Sequence, residues 1–356
     1  MVTASGIGRW QGVQVFITGH SGFKGTWLTA WLVQEGADVV GYSLNPDTDP
    51  SNVLHSTALT QHVDSRFGDI RNECEIAEAI RGAKPDVVLH LAAQPLVRSS
   101  YEDPVGTFAT NVLGTVHVLE ACRKSESVRA VVSVASDKCY ENLETGQRYR
   151  ETDPLGGADP YSASKGAAEI VTASYRASFF AQDGPLLASV RAGNVVGAGD
   201  ESTDRLVPDI VRALRTNKSI VLRRPEAVRP WQHVLEPVRA YLMLATALYS
   251  GDQTKASAWN IGPQKGNSKT VEQLTRALVA RWGTDIPIIV EHDAGRAESG
   301  VLRLDTRKAE NELGFVPWLG FDDTIRYVVD GYRALDEGSN LTDVIRSQTV
   351  AYASLG

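Results

Sequence analysis

Residues 13–43, VQVFITGHSGFKGTWLTAWLVQEGADVVGYS, read as strand, glycine turn, helix and strand. VQVFIT (13–18) is an apolar, β-branched run of strand length. Residues 22–35 carry amphipathic, helix-forming sequence, and DVVGYS (38–43) is strand-like again. Gly19, Gly22 and Gly25 stand between the first strand and the helix. Backbone amides at a helix N-terminus, with no side chains in the way, can approach a pyrophosphate closely. GxxGxxG is a variant of the dinucleotide fingerprint. Turns collect glycine in any protein, so it is the strand–turn–helix context that makes this a cofactor loop.

The alternation continues outward. HVDSRFGD (62–69), DVVLHLAA (86–93), VRAVVSVAS (128–136) and LLASVRAGNV (186–195) are strand-like. Helical patterns lie near 71–82 and 103–124, and a further helix begins near Tyr161. Strands alternating with helices imply an α/β fold, a Rossmann-type doubly wound parallel sheet. After Gly199 the texture changes. Helix candidates near 204–216, 236–249, 270–282 and 321–336 alternate with short strands such as SIVLRR (219–224) and IPIIVEH (286–292). The expected organisation is a dinucleotide-binding domain over 1–192 and a smaller C-terminal α/β substrate lobe over 193–356. The chain is expected to return to the first domain around 231–262.

Composition removes several classes of function. A net charge of −7 argues against a general nucleic-acid binder, which would carry a broad basic face. Cys74, Cys122 and Cys139 have neither CxxC spacing nor an even count, which suits a reducing compartment and argues against disulfides or a zinc site. No apolar h-region opens the chain and no run is long enough to span a membrane. The expectation is a cytoplasmic protein with neither nucleic-acid nor membrane partners.

The second strand ends Tyr42-Ser43-Leu44-Asn45, without the acid that holds an NAD ribose and without the arginine that receives a 2′-phosphate. NAD is favoured, but this local signal is ambiguous. Asp69, after the third strand, can accept from the adenine amino group or cap the helix of 70–82. His20 reads as a loop residue rather than an acid or base, and His233 as structural.

Residues 136–140, SDKCY, follow the valine-rich run and place a hydroxyl, a carboxylate and an amine at one strand end. Tyr161-Ser162-Ala163-Ser164-Lys165 comes next. Positions i and i+4 share a helix face, so Tyr161 and Lys165 lie together. A lysine ammonium there favours the phenolate, and a phenol of ordinary pKa is a poor base near neutrality. With Ser136, this is an alcohol–ketone oxidoreductase site.

At these motifs the chain resembles the extended short-chain dehydrogenase/reductase family, most nearly its CDP-glucose 4,6-dehydratases. The carriers are GHSGFKGTWL (19–28), HLAAQPLVRSSYEDP (90–104), Asn111 in NVLGT, SDKCYEN (136–142), PYSASKGAAE (160–169), RAGNVVGAGD (191–200) and RPWQHVLEP (229–237). Ala135 departs from the threonine or serine more common in the family. The resemblance implies an NAD-dependent lyase acting on CDP-glucose, and a homodimer formed through helices near 103–124 and 160–178. It implies Ser136, Asp137, Lys138, Tyr161 and Lys165 as catalytic residues. The implied cofactor contacts are Gly19, Ser21, Gly22, Phe23, Lys24, Gly25, Asp69, Ile70 and Ala92, together with Tyr161 and Lys165. Gln94, Asn194, Arg205, Arg229, Arg296 and Glu298 are the implied substrate contacts. Tyr161 would take the proton of the sugar 4-hydroxyl, Asp137 would protonate the departing 6-hydroxyl, and Lys138 would be a neutral base or a charged stabiliser.

Two other readings use the same residues. A nucleotide-sugar 4-epimerase needs the Tyr–Lys pair but no acid for O6, so Asp137-Lys138 weighs against it. An NAD-sensing regulator needs no phenolate, so the complete Ser–Tyr–Lys set weighs against that.

Overall fold

The structure, a computed structural model, describes residues 10–45, 53, 57–143, 145–180, 184–264, 266–291 and 302–356. In chain order the first half comprises β1 (Gln14–Thr18), α1 (Phe23–Gln34), β2 (Asp38–Ser43), β3 (Asp64–Phe67), α2 (Glu73–Ala83), β4 (Val87–His90), α3 (Val97–Glu102), α4 (Pro104–Phe108), α5 (Gly114–Arg123), β5 (Ala130–Val134), β6 (Arg148–Tyr149) and α6 (Pro160–Tyr175). Then follow β7 (Leu186–Ala192), β8 (Val195–Val196), α7 (Leu206–Arg215), β9 (Ile220–Leu222), β10 (Val228–Pro230), β11 (Gln232–His233), α8 (Leu235–Tyr249), β12 (Ala258–Ile261), β13 (Ser268–Thr270), α9 (Val271–Trp282), β14 (Ile288–Val290), β15 (Arg303–Leu304), α10 (Phe321–Asp336) and α11 (Leu341–Ala353).

Seven strands form one parallel sheet in the order β12-β7-β5-β4-β1-β2-β3. This is the doubly wound α/β sheet expected from the alternating pattern. The two faces are read off β1: Val15 and Ile17 join the core under α1 and α8, while Phe16 joins the core under α2 and α5. Side chains alternate along a strand, so a run apolar at every position must be covered on both sides. The chain leaves β1 toward β2 on one side and reaches β4 on the other. Their carboxyl ends therefore flank a topological switch point, where open α/β sheets place their ligands.

Two segments differ from the sequence reading. The helical pattern of 103–124 is α4, a π-helical turn at Ala109–Leu113, then α5, with the separate α3 before it. Pro104 starts α4 behind an Asp103 cap, and the π turn brings Asn111 into the buried side. At the C-terminus, α11 was not anticipated. It begins at an Asn340 cap and packs against α1, with Tyr352 edge-on to Trp31 at 6.0 Å. Its Tyr352 hydroxyl donates to Glu236 of α8 (2.6 Å), beside a buried Arg239 that stacks 3.9 Å from the Trp318 ring. Among the described residues, no helix is long and apolar enough to cross a membrane.

Candidate active site

The glycine turn after β1 is shaped by close backbone approaches. Gly19 has φ +76°, and a Cβ there would lie 2.8 Å from the Ala92 amide nitrogen at the end of β4. At Gly25 a Cβ would lie 1.9 Å from the Gly19 carbonyl oxygen, so only glycine lets α1 start this close to the turn. Gly22 caps α1 with no side-chain hydrogen bond. Among the described residues the first amides of α1 thus meet no cap, and they stand at the switch point between β1 and β4, an anion-receptive cradle. His20 lies buried beneath the turn, its Nδ1 2.8 Å from Ser43 Oγ and its Nε2 3.0 Å from Ser65 Oγ. Burial lowers its pKa to about 4, so it ties the ends of β2 and β3 to the loop as a neutral ring.

Asp69 lies at the end of β3 in an ion pair with Arg71 (2.5 Å) and accepts from the Arg71 amide (2.8 Å). It is not the cap of α2: Asn72 is, accepting from the Glu75 amide. Ile70 is buried against Gly114 of α5.

Ser136 and Asp137 follow β5, and Ser136 caps a single 3₁₀ turn of Asp137–Cys139 by accepting from the Lys138 amide. The Ser136 hydroxyl donates to Asp137 Oδ1 (3.1 Å) and hydrogen-bonds the Tyr161 phenol. Asp137 is 3 % exposed, and burial raises its carboxyl pKa against the opposing charges of Lys138 and Arg229. The Lys138 ammonium sits 6.0 Å from the Tyr161 ring centroid.

Tyr161 is the second residue of α6, whose start is fixed by the Asp159 cap and Pro160. Its amide donates to Ser100 of α3 (3.1 Å). Lys165 follows one turn along, buried like Tyr161. The expectation that a cationic neighbour holds the phenol low is not met by this arrangement. Burial raises the Tyr161 pKa to about 12, with Ser136 and Arg205 opposing, while burial lowers Lys165 to about 8 with Glu169 opposing. In so dry a site desolvation outweighs the favourable charges. Lys24 reaches the same region; burial, then the charges of Lys165 and Arg205, lower it to about 7 against the pull of Asp137.

Of the expected substrate contacts, Arg229 lies on β10 with its charge felt at Asp137, and Arg205 precedes α7 with Asp200 3.3 Å away. Asn194 turns the chain after β7 with φ +51°. Gln94 is engaged inside its own loop: Oε1 accepts from the Leu96 amide (2.5 Å) and Nε2 donates to Thr107 (2.8 Å). Arg296 and Glu298 lie outside the described residues.

The contacts of further positioning groups, among them Asn111 of the NVLGT motif, emerge in three dimensions. Asn111 accepts from the Gln94 amide (2.8 Å) and donates to Ser164 (2.9 Å), locking the β4 loop to α6 beside Lys165. Glu169, four residues after Lys165, forms a buried ion pair with Arg191 of β7 at 2.6 Å. Arg191 also donates to the Tyr140 hydroxyl (2.7 Å), just past the SDK turn. An arginine inside the apolar strand LLASVRA was the signal, since a buried guanidinium requires a buried acid.

Comparison with known proteins agrees with this geometry. A CDP-glucose 4,6-dehydratase from Salmonella typhimurium is 43% identical over 350 residues, 97% of each chain. The fold matches a dTDP-glucose 4,6-dehydratase from Streptomyces venezuelae solved with NAD, at TM-score 0.76 and 24% identity, covering 90% of this chain and 96% of that one. It also matches a UDP-glucose 4-epimerase from Thermus thermophilus in complex with NAD, at TM-score 0.74 and 26% identity, covering 90% and 98%. The glycine turn at the switch point and the Ser–Tyr–Lys cluster lie inside residues 15–262, over which the family model matches, and the chain belongs to the NAD dependent epimerase/dehydratase family.

Proposed function

We infer that this protein is a hydro-lyase that converts CDP-glucose to CDP-4-dehydro-6-deoxy-glucose. The observation that carries dehydration over epimerisation is Asp137: a buried carboxyl, held toward its protonated form, in hydrogen-bond contact with Ser136. An epimerase has no need of such an acid. The 43% identical relative named CDP-glucose 4,6-dehydratase supports the substrate.

The cradle fits NAD. The uncapped amides of Phe23, Lys24 and Gly25, with Gly19, Ser21 and Gly22, would take the pyrophosphate, and Asp69, Ile70 and Ala92 border the same side of the sheet. When bound, NAD supplies the acceptor for the C4 hydride of the hexose and the donor that returns it at C6.

The side chains carry the protons. Tyr161, in the phenolate form that Ser136 and Arg205 favour against burial, takes the proton of the 4-hydroxyl, and Ser136 hydrogen-bonds the same oxygen. The 4-ketone makes the C5 hydrogen acidic, because the carbanion delocalises into it. Lys138, whose Nζ lies over the Tyr161 ring, receives the C5 proton, stabilises the enolate with the charge it so gains, and returns the proton to C5 once hydride has reached C6. Asp137 protonates the 6-hydroxyl, which leaves as water. Each cycle leaves Tyr161 with one proton more and Asp137 with one fewer, so both exchange with solvent to reset. Arg205, Arg229 and Asn194 hold the diphosphate. In this reading residues 1–192 serve NAD and 193–356 the nucleotide sugar, with the 231–262 segment joining the two.

The protein assembles as a homodimer in the cytoplasm. Val105, Phe108 and Leu113 on the α4–α5 segment, with Ile170 and Phe179 on α6 and its continuation, are exposed apolar residues suited to a second copy. Incubation of the purified protein with CDP-, dTDP-, UDP- and GDP-glucose, scored for the 4-keto product, tests the assignment. CDP-glucose is expected to have the highest kcat/KM; equal or faster turnover of dTDP-glucose overturns it.

A further inference from the structure

The carboxyl group of Asp137 rests against Gly193, the first residue after β7. A Cβ at residue 193 would fall 1.9 Å from Asp137 Oδ2, 2.2 Å from Cγ and 2.4 Å from Oδ1. These three are its nearest atoms, and all belong to the acid. Gly193 is not among the residues of positive φ, so the backbone itself admits alanine. The acid is what excludes it first.

The Gly193 peptide is held from the other side by β11. The Gln232 amide donates to the Asn194 carbonyl (3.2 Å), and the Gln232 side-chain Nε2 donates to the Gly193 carbonyl (2.9 Å). Gln232 is 1 % exposed, and its Oε1 has no hydrogen-bond partner among the described residues. A buried acceptor left unpaired is costly. An apolar side chain of the same size would relieve that atom but leave the Gly193 carbonyl without its donor. What it does is fix the one carbonyl beneath the acid. Three residues upstream on the same segment, Arg229 also acts on Asp137. The remaining charged groups that face the carboxyl are Lys138 and Lys24.

We propose that Gly193 and Gln232 are positioning residues for the acid step: Gly193 leaves the room into which the Asp137 carboxyl sinks, and Gln232 holds that floor in place. The proposal rests on the dehydratase reading, in which Asp137 protonates the departing hydroxyl. Because the clash at residue 193 is with the end of a side chain, Gly193→Ala displaces the carboxyl rather than the backbone. Gln232→Met keeps the volume and removes the bond to Gly193.

The test uses the full chain loaded with NAD. Rapid mixing with CDP-glucose separates C4 oxidation, seen as a rise in reduced-nicotinamide absorbance, from elimination and reduction, seen as its decay. In both variants the rise is expected to stay within about threefold of wild type while the decay slows by roughly 10–100-fold, the usual consequence of a group misplaced by about 1 Å. A second readout needs no substrate. The infrared carbonyl stretch of the protonated Asp137 carboxyl, isolated by subtracting the Asp137→Asn spectrum, is expected to shift in both variants. A wild-type band with wild-type decay overturns the proposal, and so does equal slowing of rise and decay. If Gly193→Ala does not fold, Gln232→Met decides alone. If the wild-type protein does not dehydrate CDP-glucose, the assigned function fails, while the infrared band still judges the seat.

Discussion

Glu169→Gln is the change whose effect follows most directly from the geometry. Glu169 Oε2 accepts from Arg191 Nη2 at 2.6 Å, Arg191 Nε at 2.9 Å and Ser189 Oγ at 3.0 Å, and both members of the ion pair are under 5 % exposed. The amide keeps the shape and one acceptor but leaves the Arg191 charge buried without its partner. Breaking a buried pair costs about 3–5 kcal/mol, and the retained acceptor points to the lower end. With an unfolding entropy of about 2.1 cal/mol/K per residue over 356 residues, roughly 3 kcal/mol lowers Tm by about 4 °C. Calorimetry of wild type and variant measures this. A second effect follows from the spacing on α6. Glu169 raises the Lys165 pKa against burial, which has brought it to about 8. Without that charge the Lys165 pKa falls further. Cys139, Lys24 and His90 are the other titratable groups that interact with Lys165, and none replaces the lost negative charge near neutrality. Lys165 is needed as a cation, so activity is lost as pH rises through its pKa. The alkaline limb of kcat/KM should therefore move to lower pH in the variant. An unchanged Tm together with an unchanged alkaline limb would refute the reasoning.

Tyr161→Phe should abolish ketone formation and cofactor reduction together, whereas Asp137→Asn should oxidise the substrate and stall with reduced cofactor; dehydration by Asp137→Asn at the wild-type rate would remove Asp137 as the acid. Arg229→Ala should raise KM far more than it lowers kcat, since a phosphate clamp holds ground and transition states alike; an unchanged KM for CDP-glucose would count against the clamp. His20, His90 and His233 are buried, with pKa values lowered by burial to about 4, about 3 and about 3. Once unfolded, each takes up a proton near pH 6.5, so the unfolded chain binds more protons below that value, and stability should fall as pH drops from about 6.5 toward 4. Urea melts across that range should show the midpoint declining; a flat midpoint would mean these rings are not buried neutral.

The sheet was legible because its strands are covered on both faces, which leaves continuous apolar runs in VQVFIT, DVVLHLAA and VRAVVSVAS. The cofactor turn was legible because close backbone approach demands glycine at Gly19 and Gly25. Tyr161 and Lys165 were legible because helical spacing is a local property. Properties that depend on depth were not. The rise of the Tyr161 pKa reflects how much solvent the fold removes, which no motif states. The contact of Gly193 with Asp137 and the pairing of Glu169 with Arg191 join distant segments, so they appear only once β5, α6 and β7 are packed. The helix at Leu341–Ala353 was missed because its apolar positions mix with polar ones, and it is the Trp31, Trp318 and Glu236 partners that make them a buried face.

The docking of that helix on α1 has a consequence for synthesis. Trp31 and Tyr352 meet edge to face, although every element from β2 to α10 lies between them in the chain. At about 5–20 residues per second, a ribosome needs roughly 15–60 s to make the intervening segment. Through that interval the outer side of the cofactor helix, with Trp31, waits without its cover. Contacts between distant segments form late because their loops are costly to close. The nascent chain can therefore assemble its sheet early yet expose a tryptophan surface to chaperones until Leu341–Ala353 emerges, and burial of Trp31 marks the docking of that helix.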